Sequence, residues 1–372
     1  MPQKRVCVIG GGPAGLSAAL EGARLGFDVD LFERNLIGEN IRCAEGFFDS
    51  LHRLGEPQRG LRFKVKEAVL KVKREYVVDC RKIPLWMIDR AEWQRFLATE
   101  ARSAGVRIHE RTRITSEMLK DLQKRYDWII DASGVPSVTS LLYGFRDYYR
   151  RYGAVTAQYV IEGDFSWLGE RLKFVLFPRY AGYYWIFPKG RDAMGRQTAN
   201  VGIGYYLPMC KKDIRGSVLW DELNEVIRKE KVNGRIVRRL GGIVPVKLRG
   251  QLQYGNILLV GDAAGCASPL HGGGIDTACL TGQLAARWIA SESNSDFSQE
   301  VAHLLMKKLE VEEHLCRVWE MSDVEELDCF ASLIAGDYKG IGIFRLIRYL
   351  PLIVSNLKTG LRFRSGLYEG KW

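Results

Sequence analysis

The chain has 372 residues, beyond the size at which one hydrophobic core usually divides, and its 47% hydrophobic and 27% charged residues exclude a disordered or fibrous protein. Lysine and arginine number 55 against 44 acidic residues, and the net charge of +11 favours an anionic partner: a phosphate-bearing cofactor, a membrane surface or nucleic acid. A strand begins within the first few residues, leaving no space for a signal peptide, and no apolar run approaches the roughly 18 residues of a membrane span, so a cytoplasmic protein is expected.

In chain order, Val6, Val8 and Ile9 predict a short strand that delivers Gly10-Gly11-Gly12-Pro13-Ala14-Gly15 to a helix over 16–25. Gly10 permits the tight turn, Gly12 lets a pyrophosphate approach the backbone, and Gly15 lets the helix pack close to the strand. A second apolar run, 29–32, ends in Glu33, where a carboxylate accepts hydrogen bonds from an adenosine ribose and disfavours a 2′-phosphate. The polar loop Gly38-Glu39-Asn40-Ile41-Arg42 then leads to Cys43. The 8 cysteines (Cys7, Cys43, Cys80, Cys210, Cys266, Cys279, Cys316, Cys329) form no CxxC pair, so neither a metal site nor a disulfide framework is expected. Seven of them read as small buried hydrophobes; Cys43 differs, because Arg42 beside it favours a thiolate or holds an anion.

Strict alternation over 61–66 and part of 69–78 predicts half-exposed antiparallel strands, joined by 155–161 and 174–177. In Tyr183-Tyr184-Trp185-Ile186-Phe187 a strand sends Tyr183, Trp185 and Phe187 to one face, which is either core or the apolar wall of a pocket. The strand 256–260 then runs into Gly261-Asp262-Ala263-Ala264-Gly265, and Gly272-Gly273-Gly274-Ile275-Asp276 opens a small-residue helix over 277–289. Asp262 can bind the ribityl and pyrophosphate side of a flavin, and the helix behind Gly274 points its positive end at the pyrimidine edge, so the two glycine motifs together predict one bound FAD. Val301, Leu304, Leu305 and Leu309 share a helical face, after which 338–368 interleaves basic and apolar residues with no acid. That tail suits an interfacial helix pair at the inner face of a membrane, or packing on its own domain or a dimer interface.

These residues carry a resemblance. The first glycine turn with Glu33, the Gly261-Asp262 motif and Arg90 opening Arg90-Ala91-Glu92-Trp93 resemble the FAD-dependent family of aromatic hydroxylases, flavin halogenases and geranylgeranyl reductases, over roughly residues 1–290. Cys43-Ala44-Glu45-Gly46, and Tyr183-x-Trp185-x-Phe187-Pro188 followed by Gly202-x-Gly204, resemble the geranylgeranyl reductase branch. The resemblance implies reduction of C=C bonds in polyprenyl chains on lipids, with the aromatic segment lining a lipid tunnel and Cys43 beside the flavin ring. There Cys43 either donates a proton after hydride transfer from flavin N5 or packs on the ring. Two departures stand out: the polar insert Lys189-Gly190-Arg191-Asp192 lengthens the gap before Gly202, and Ser133 in Asp131-Ala132-Ser133-Gly134 replaces the acid of the hydroxylase branch. The second leaves the electron donor open between NAD(P)H and a ferredoxin-like protein.

The resulting expectation is an α/β protein with a discontinuous Rossmann-type FAD domain (1–45, 91–140, 250–290), an antiparallel β substrate domain (46–90, 141–249) and a helical C-terminal region (291–372). Its catalytic candidates are Cys43, Tyr183, Trp185 and Phe187. Its FAD-binding candidates are Gly10, Gly12, Ala14, Gly15, Glu33, Arg34, Cys43, Arg90, Gly134, Gly261, Asp262, Gly273, Gly274 and Ile275. The expected partners are a polyprenyl lipid and the electron donor, with peripheral membrane contact through the tail. No nucleic acid is expected, because no aromatic-basic signature accompanies the charge. A flavin quinone reductase or electron-transfer protein, and a flavin monooxygenase or halogenase, are the alternative activities.

Overall fold

The structure is a computed structural model that describes residues 3–180, 182–191, 194–208, 216–292 and 295–337. The chain opens with β1 (Arg5–Ile9), α1 (Pro13–Arg24) and β2 (Asp28–Phe32), and continues through β3 (Gly46–Phe48), β4 (Leu61–Lys64), β5 (Glu67–Lys71), β6 (Glu75–Asp79) and β7 (Leu85–Ile88). It then forms α2 (Arg90–Ser103), β8 (Arg107–His109), α3 (Ser116–Arg125), β9 (Trp128–Asp131), α4 (Val138–Leu142) and α5 (Asp147–Arg151). Next come β10 (Gly153–Gly163), β11 (Leu172–Leu176), β12 (Gly182–Arg191), β13 (Gln197–Tyr206), α6 (Gly216–Lys229) and β14 (Gly234–Pro245). β15 (Gln253–Tyr254), β16 (Ile257–Leu259), α7 (Ile275–Ser291), α8 (Phe297–Met321) and α9 (Val324–Ile334) complete the described chain.

One sheet, in the order β15-β16-β9-β1-β2-β8, is parallel except for the β15-β16 hairpin. Its central strands β1, β9 and β16 are largely apolar on both faces because helices cover both, and α1 and α7 pack side by side over it through small residues such as Ala14, Ala18, Ala278 and Ala285. The carboxyl ends of β1, β2, β9 and β16 lead directly to Gly10, Glu33, Ala132 and Gly261, which is where an open α/β sheet holds its ligand.

A second sheet, in the order β14-β10-β13-β12-β11-β5-β6, stands beside it. Tyr184 and Ile186 of β12 point into a core shared with Leu219, Leu223 and Val226 of α6, which sends Tyr183, Trp185 and Phe187 to the other face. The expected antiparallel pairing holds for every neighbour but one: β5 runs parallel to β11. Alternation reports which face a residue occupies and says nothing of strand direction. The expected grouping of 46–90 with this sheet also divides. β5 and β6 join it, but β3, β7 and β4 form a separate three-stranded sheet, whose Phe47, Trp86 and Ile88 pack on Trp93 of α2 and Ile275 and Cys279 of α7.

The C-terminal helices clasp both halves. Val301 and Leu305 of α8 bury against the parallel sheet's layer, while Trp319 near its far end donates to the Phe177 carbonyl at 2.6 Å. In α9, Asp328 accepts from Tyr76 and from the backbone of Lys73 and Arg74 in the β5-β6 turn. No helix among the described residues is long and apolar enough to cross a membrane. The basic apolar segment 338–368 lies outside the described residues.

Candidate active site

A cleft of about 980 Å³ runs between the two large sheets, near the top of the roughly 300–1,000 Å³ typical of small-molecule sites. Its nucleotide end is made by backbone. Gly10 has φ +106, and a Cβ there would stand 2.4 Å from the Ala132 carbonyl oxygen, so only glycine makes this turn. Gly12 faces open space at the start of α1, where an anion meets the first helical N–H groups. Glu33 is already oriented: its carboxylate accepts from Gly11 N at 2.7 Å and Asn35 N at 2.9 Å. Ala14, Arg34, Arg90 and Gly134 also line this end. Gly15 and Gly261 do not reach the wall. A Cβ on Gly15 would collide with the Gly10 carbonyl and one on Gly261 would press on Ala14, so these two glycines support the turn from behind.

The second glycine motif forms the opposite wall with Asp262, Gly273, Gly274 and Ile275. Asp262 is open to the cleft yet ringed by protein, and that enclosure raises its pKa while Arg90 pulls the other way. The turn is pinned by Thr281, whose Oγ1 accepts from Gly261 N at 3.0 Å. Across the cleft, Ser133 is fully engaged. Its N–H and hydroxyl donate to Asp131, and the hydroxyl accepts from Val138 N.

Beyond the glycines the wall becomes aromatic. Tyr183, Trp185 and Phe187 line it with Phe174, with neighbouring ring centroids 4.9–6.4 Å apart. The Trp185 indole lies flat over its cross-strand partner Gly202, where a Cβ would stand 2.1 Å from Cζ2, so Gly202-x-Gly204 is the bed that receives this ring. Both earlier alternatives for the segment therefore hold in part: Trp185 and Phe187 face the cleft and are also buried against Phe63, Val65 and Met87.

Cys43 lines the same cleft, half-buried, and its Sγ accepts from Glu45 N at 3.2 Å. The loop carrying it is locked from four sides. Gln158 donates to the Cys43 carbonyl and accepts from the Trp185 indole, Asn200 donates to the Ala44 carbonyl at 2.8 Å, and buried Glu45 pairs with Lys189 at 2.5 Å and accepts from Arg90 N. The polar insert therefore begins as an inward tether: Lys189 continues β12 and closes on the Cys43 loop. Gln158, Asn200 and Gln94 were not singled out in the sequence, and Glu45 entered only as a member of the Cys43-Ala44-Glu45-Gly46 motif. For Gln158 and Asn200 the signal was a lone amide in a largely apolar strand, which needs a partner when buried; Gln94 lies in a charged helical stretch that gives no such signal.

A flavin dinucleotide fits this donor set. Two buried polar atoms on the cleft, Arg90 Nε and Gln94 Oε1, have no hydrogen-bond partner, and space stands open over Gly12 and Gly134.

Comparison with known proteins agrees with this geometry. Residues 8–45 match the NAD(P)-binding Rossmann-like domain. A digeranylgeranylglycerophospholipid reductase from Methanosarcina mazei is 33% identical over 75% of this chain and 73% of its own. A protein of the same name from Methanocella arvoryzae is 27% identical over 92% of this chain and 94% of its own. The crystal structure of a geranylgeranyl bacteriochlorophyll reductase-like protein from Thermoplasma acidophilum shares the fold, with TM-score 0.71 and 21% identity over 96% of this chain and 99% of that one.

Proposed function

The chain belongs to the geranylgeranyl reductase family and is an FAD-dependent oxidoreductase, and on that premise we propose that it saturates C=C bonds in polyprenyl chains carried on lipids. The observation that carries this reading is the continuity of one cleft from the nucleotide-binding glycines to the aromatic wall, with Cys43 between them. FAD, bound and reduced, supplies a hydride from N5. The chain's own residues do the rest. Gly10, Gly12, Ala14, Glu33, Arg34 and Arg90 hold the adenosine and pyrophosphate, with Gly134 beside them, and Asp262 holds the ribityl side. Gly273, Gly274 and Ile275, at the positive end of α7, face the pyrimidine edge.

Tyr183, Trp185, Phe187 and Phe174 hold the isoprenoid by apolar contact and keep water from the reacting carbons. The Cys43 thiol holds the proton that the second alkene carbon receives, and the Glu45 N–H on Sγ stabilises the thiolate left behind. Gln158, Asn200 and Lys189 fix the direction in which that thiol points. In this reading the FAD-binding unit is 1–45, 91–140 and 250–290, with 46–90 and 141–249 serving the substrate, and 291–372 is a C-terminal region whose described helices α8 and α9 clasp both. The lipid is met at a membrane surface through 338–368. A ferredoxin-like protein or NAD(P)H reduces the flavin.

The test is an anaerobic single turnover. Reduced holoprotein is mixed with a geranylgeranyl-bearing glycerophospholipid or with a quinone, and the return of oxidised-flavin absorbance is followed. Reoxidation by the lipid supports the proposal. Reoxidation by the quinone alone would replace it with an electron-transfer role.

A further inference from the structure

Behind the second glycine loop lies a buried charged cluster that the chemistry above does not use. Lys308 and Glu312, one turn apart on α8, are both buried and bonded at 2.8 Å. His271 Nε2 stands 3.6 Å from Glu312 Oε1, a separation at which the attraction is electrostatic and a small closing movement completes the bond. His271 Nε2 and Glu312 Oε2 have no hydrogen-bond partner although both are buried. On the other side of the ring, Gly273 N donates to His271 Nδ1 at 3.1 Å, and a Cβ on Gly273 would stand 2.7 Å from the imidazole. Nδ1 is therefore the unprotonated nitrogen, and neutral His271 carries its proton on Nε2, toward Glu312.

A second proton on His271 has one place to go, Nδ1, and it can go there only if the Gly273 N–H lets go. Protonation thus produces an imidazolium facing Glu312 and frees an N–H in the loop at the positive end of α7. The other charged and titratable groups around the ring are few. Lys308 lies behind Glu312, the Tyr183 hydroxyl is spent on the His271 carbonyl at 2.6 Å, and Asp262 and Asp276 flank the loop. Burial works to neutralise Glu312, but His271 and Lys308 outweigh it and hold its carboxyl below the usual range, so it stays ionised to receive an imidazolium.

We propose that His271, backed by Glu312 and Lys308, is a positioning residue that takes up a proton when the flavin gains electrons and so couples the flavin's reduction potential to pH. The proposal rests on the placement of the pyrimidine edge against Gly273 and Gly274 given above. The balance is simple. Two electrons and one proton convert the flavin to its anionic reduced form, and the negative charge developing beside the loop raises the affinity of His271 for one further proton, taken from solvent. The freed Gly273 N–H then faces that charge.

The test is the midpoint potential of the bound flavin between about pH 5 and 9, which spans the range of about pH 5–8 in which histidine ordinarily titrates. The wild-type protein is expected to take up one more proton per electron pair than His271→Asn over part of that range. Asparagine retains an acceptor for Gly273 N but does not titrate. Glu312→Gln is expected to move the same stretch to lower pH, because the imidazolium loses its counter-charge. Equal slopes for wild type and His271→Asn overturn the proposal.

If His271→Asn loses its flavin, the imidazole C2–H resonances of the wild-type protein decide: the His271 titration point must rise on flavin reduction, and an unchanged one overturns the coupling. The same spectra separate the two layers of the inference. A His271 resonance indifferent to FAD binding refutes the placement of the flavin, whereas one that shifts on binding but not on reduction refutes only the proton uptake.

Discussion

The two walls of the cleft are built from different materials. The nucleotide end is made by main chain: glycines that allow a turn or leave a space, helix N-termini, and one acid held by backbone N–H groups. The aromatic end is made by side chains, namely four aromatic rings on one sheet face and a cysteine loop fixed by Gln158, Asn200 and Lys189. The first wall is fixed by backbone conformation, whereas at the second side chains can be exchanged without refolding the turn.

Damage to the first wall should therefore remove the cofactor, and damage to the second should spare it. The largest effect is expected at Gly10→Ala, where a Cβ meets the Ala132 carbonyl in a left-handed conformation. Strain and displacement together should cost more than about 3 kcal/mol. The purified variant should be colourless or insoluble, and retention of one FAD per chain at the wild-type melting temperature would break the distinction.

Next in size is Cys43→Ser. It should leave FAD bound while slowing flavin reoxidation by the alkene about 100-fold, the lower range for loss of a positioned proton donor. Equal single-turnover rates would remove Cys43 from the chemistry. Gly202→Ala sharpens the comparison further, since it changes backbone bulk on the side-chain wall. The new methyl group displaces the Trp185 indole, and alkene turnover should fall about 10-fold with the flavin spectrum unchanged. A lost flavin would show that the walls are not separable.

Asp30 lies apart from both walls and serves as the control. Arg107, His109 and Tyr126 all donate to it, and these bonds overcome the upward pull of burial to hold its pKa at about 2. Because the folded-state pKa is depressed, its stabilisation is complete above the unfolded value near 3.9 and is lost as pH falls through about 2. Arg107 is half exposed, so the contribution is about 1–2 kcal/mol after screening. Asp30→Asn should lower the melting temperature at pH 7 and flatten its acid dependence between about pH 4 and 2, with FAD content intact. An unchanged acid profile would refute this role.

The same contrast explains what the sequence disclosed. Glycine spacing is dictated by backbone conformation within a few residues, so the Rossmann-type fold and the FAD were legible, as was the place of Gly10, Gly12, Glu33 and Asp262 on the cleft. The aromatic face was legible because alternation on a strand is local. Gln158 and Asn200 were not, since each meets the Cys43 loop across more than a hundred residues of chain. Lys189 read as part of a loop insert because nothing local pairs it with Glu45. His271 sat unremarked between two motifs, for its partners Glu312 and Lys308 come from a helix that in sequence shows only an apolar face. The split of 46–90 between two sheets, and the parallel pairing of β5 with β11, were hidden for the same reason: pairing partners are chosen by the whole fold.

The central claim is that this cleft passes a hydride to an isoprenoid. Its most direct test is the mass of the lipid itself after anaerobic incubation of chemically reduced holoprotein with a geranylgeranyl-bearing glycerophospholipid. A gain of one H₂ for each flavin reoxidised is the predicted result, and an unchanged lipid beside a flavin that turns over freely with oxygen or quinone would contradict it.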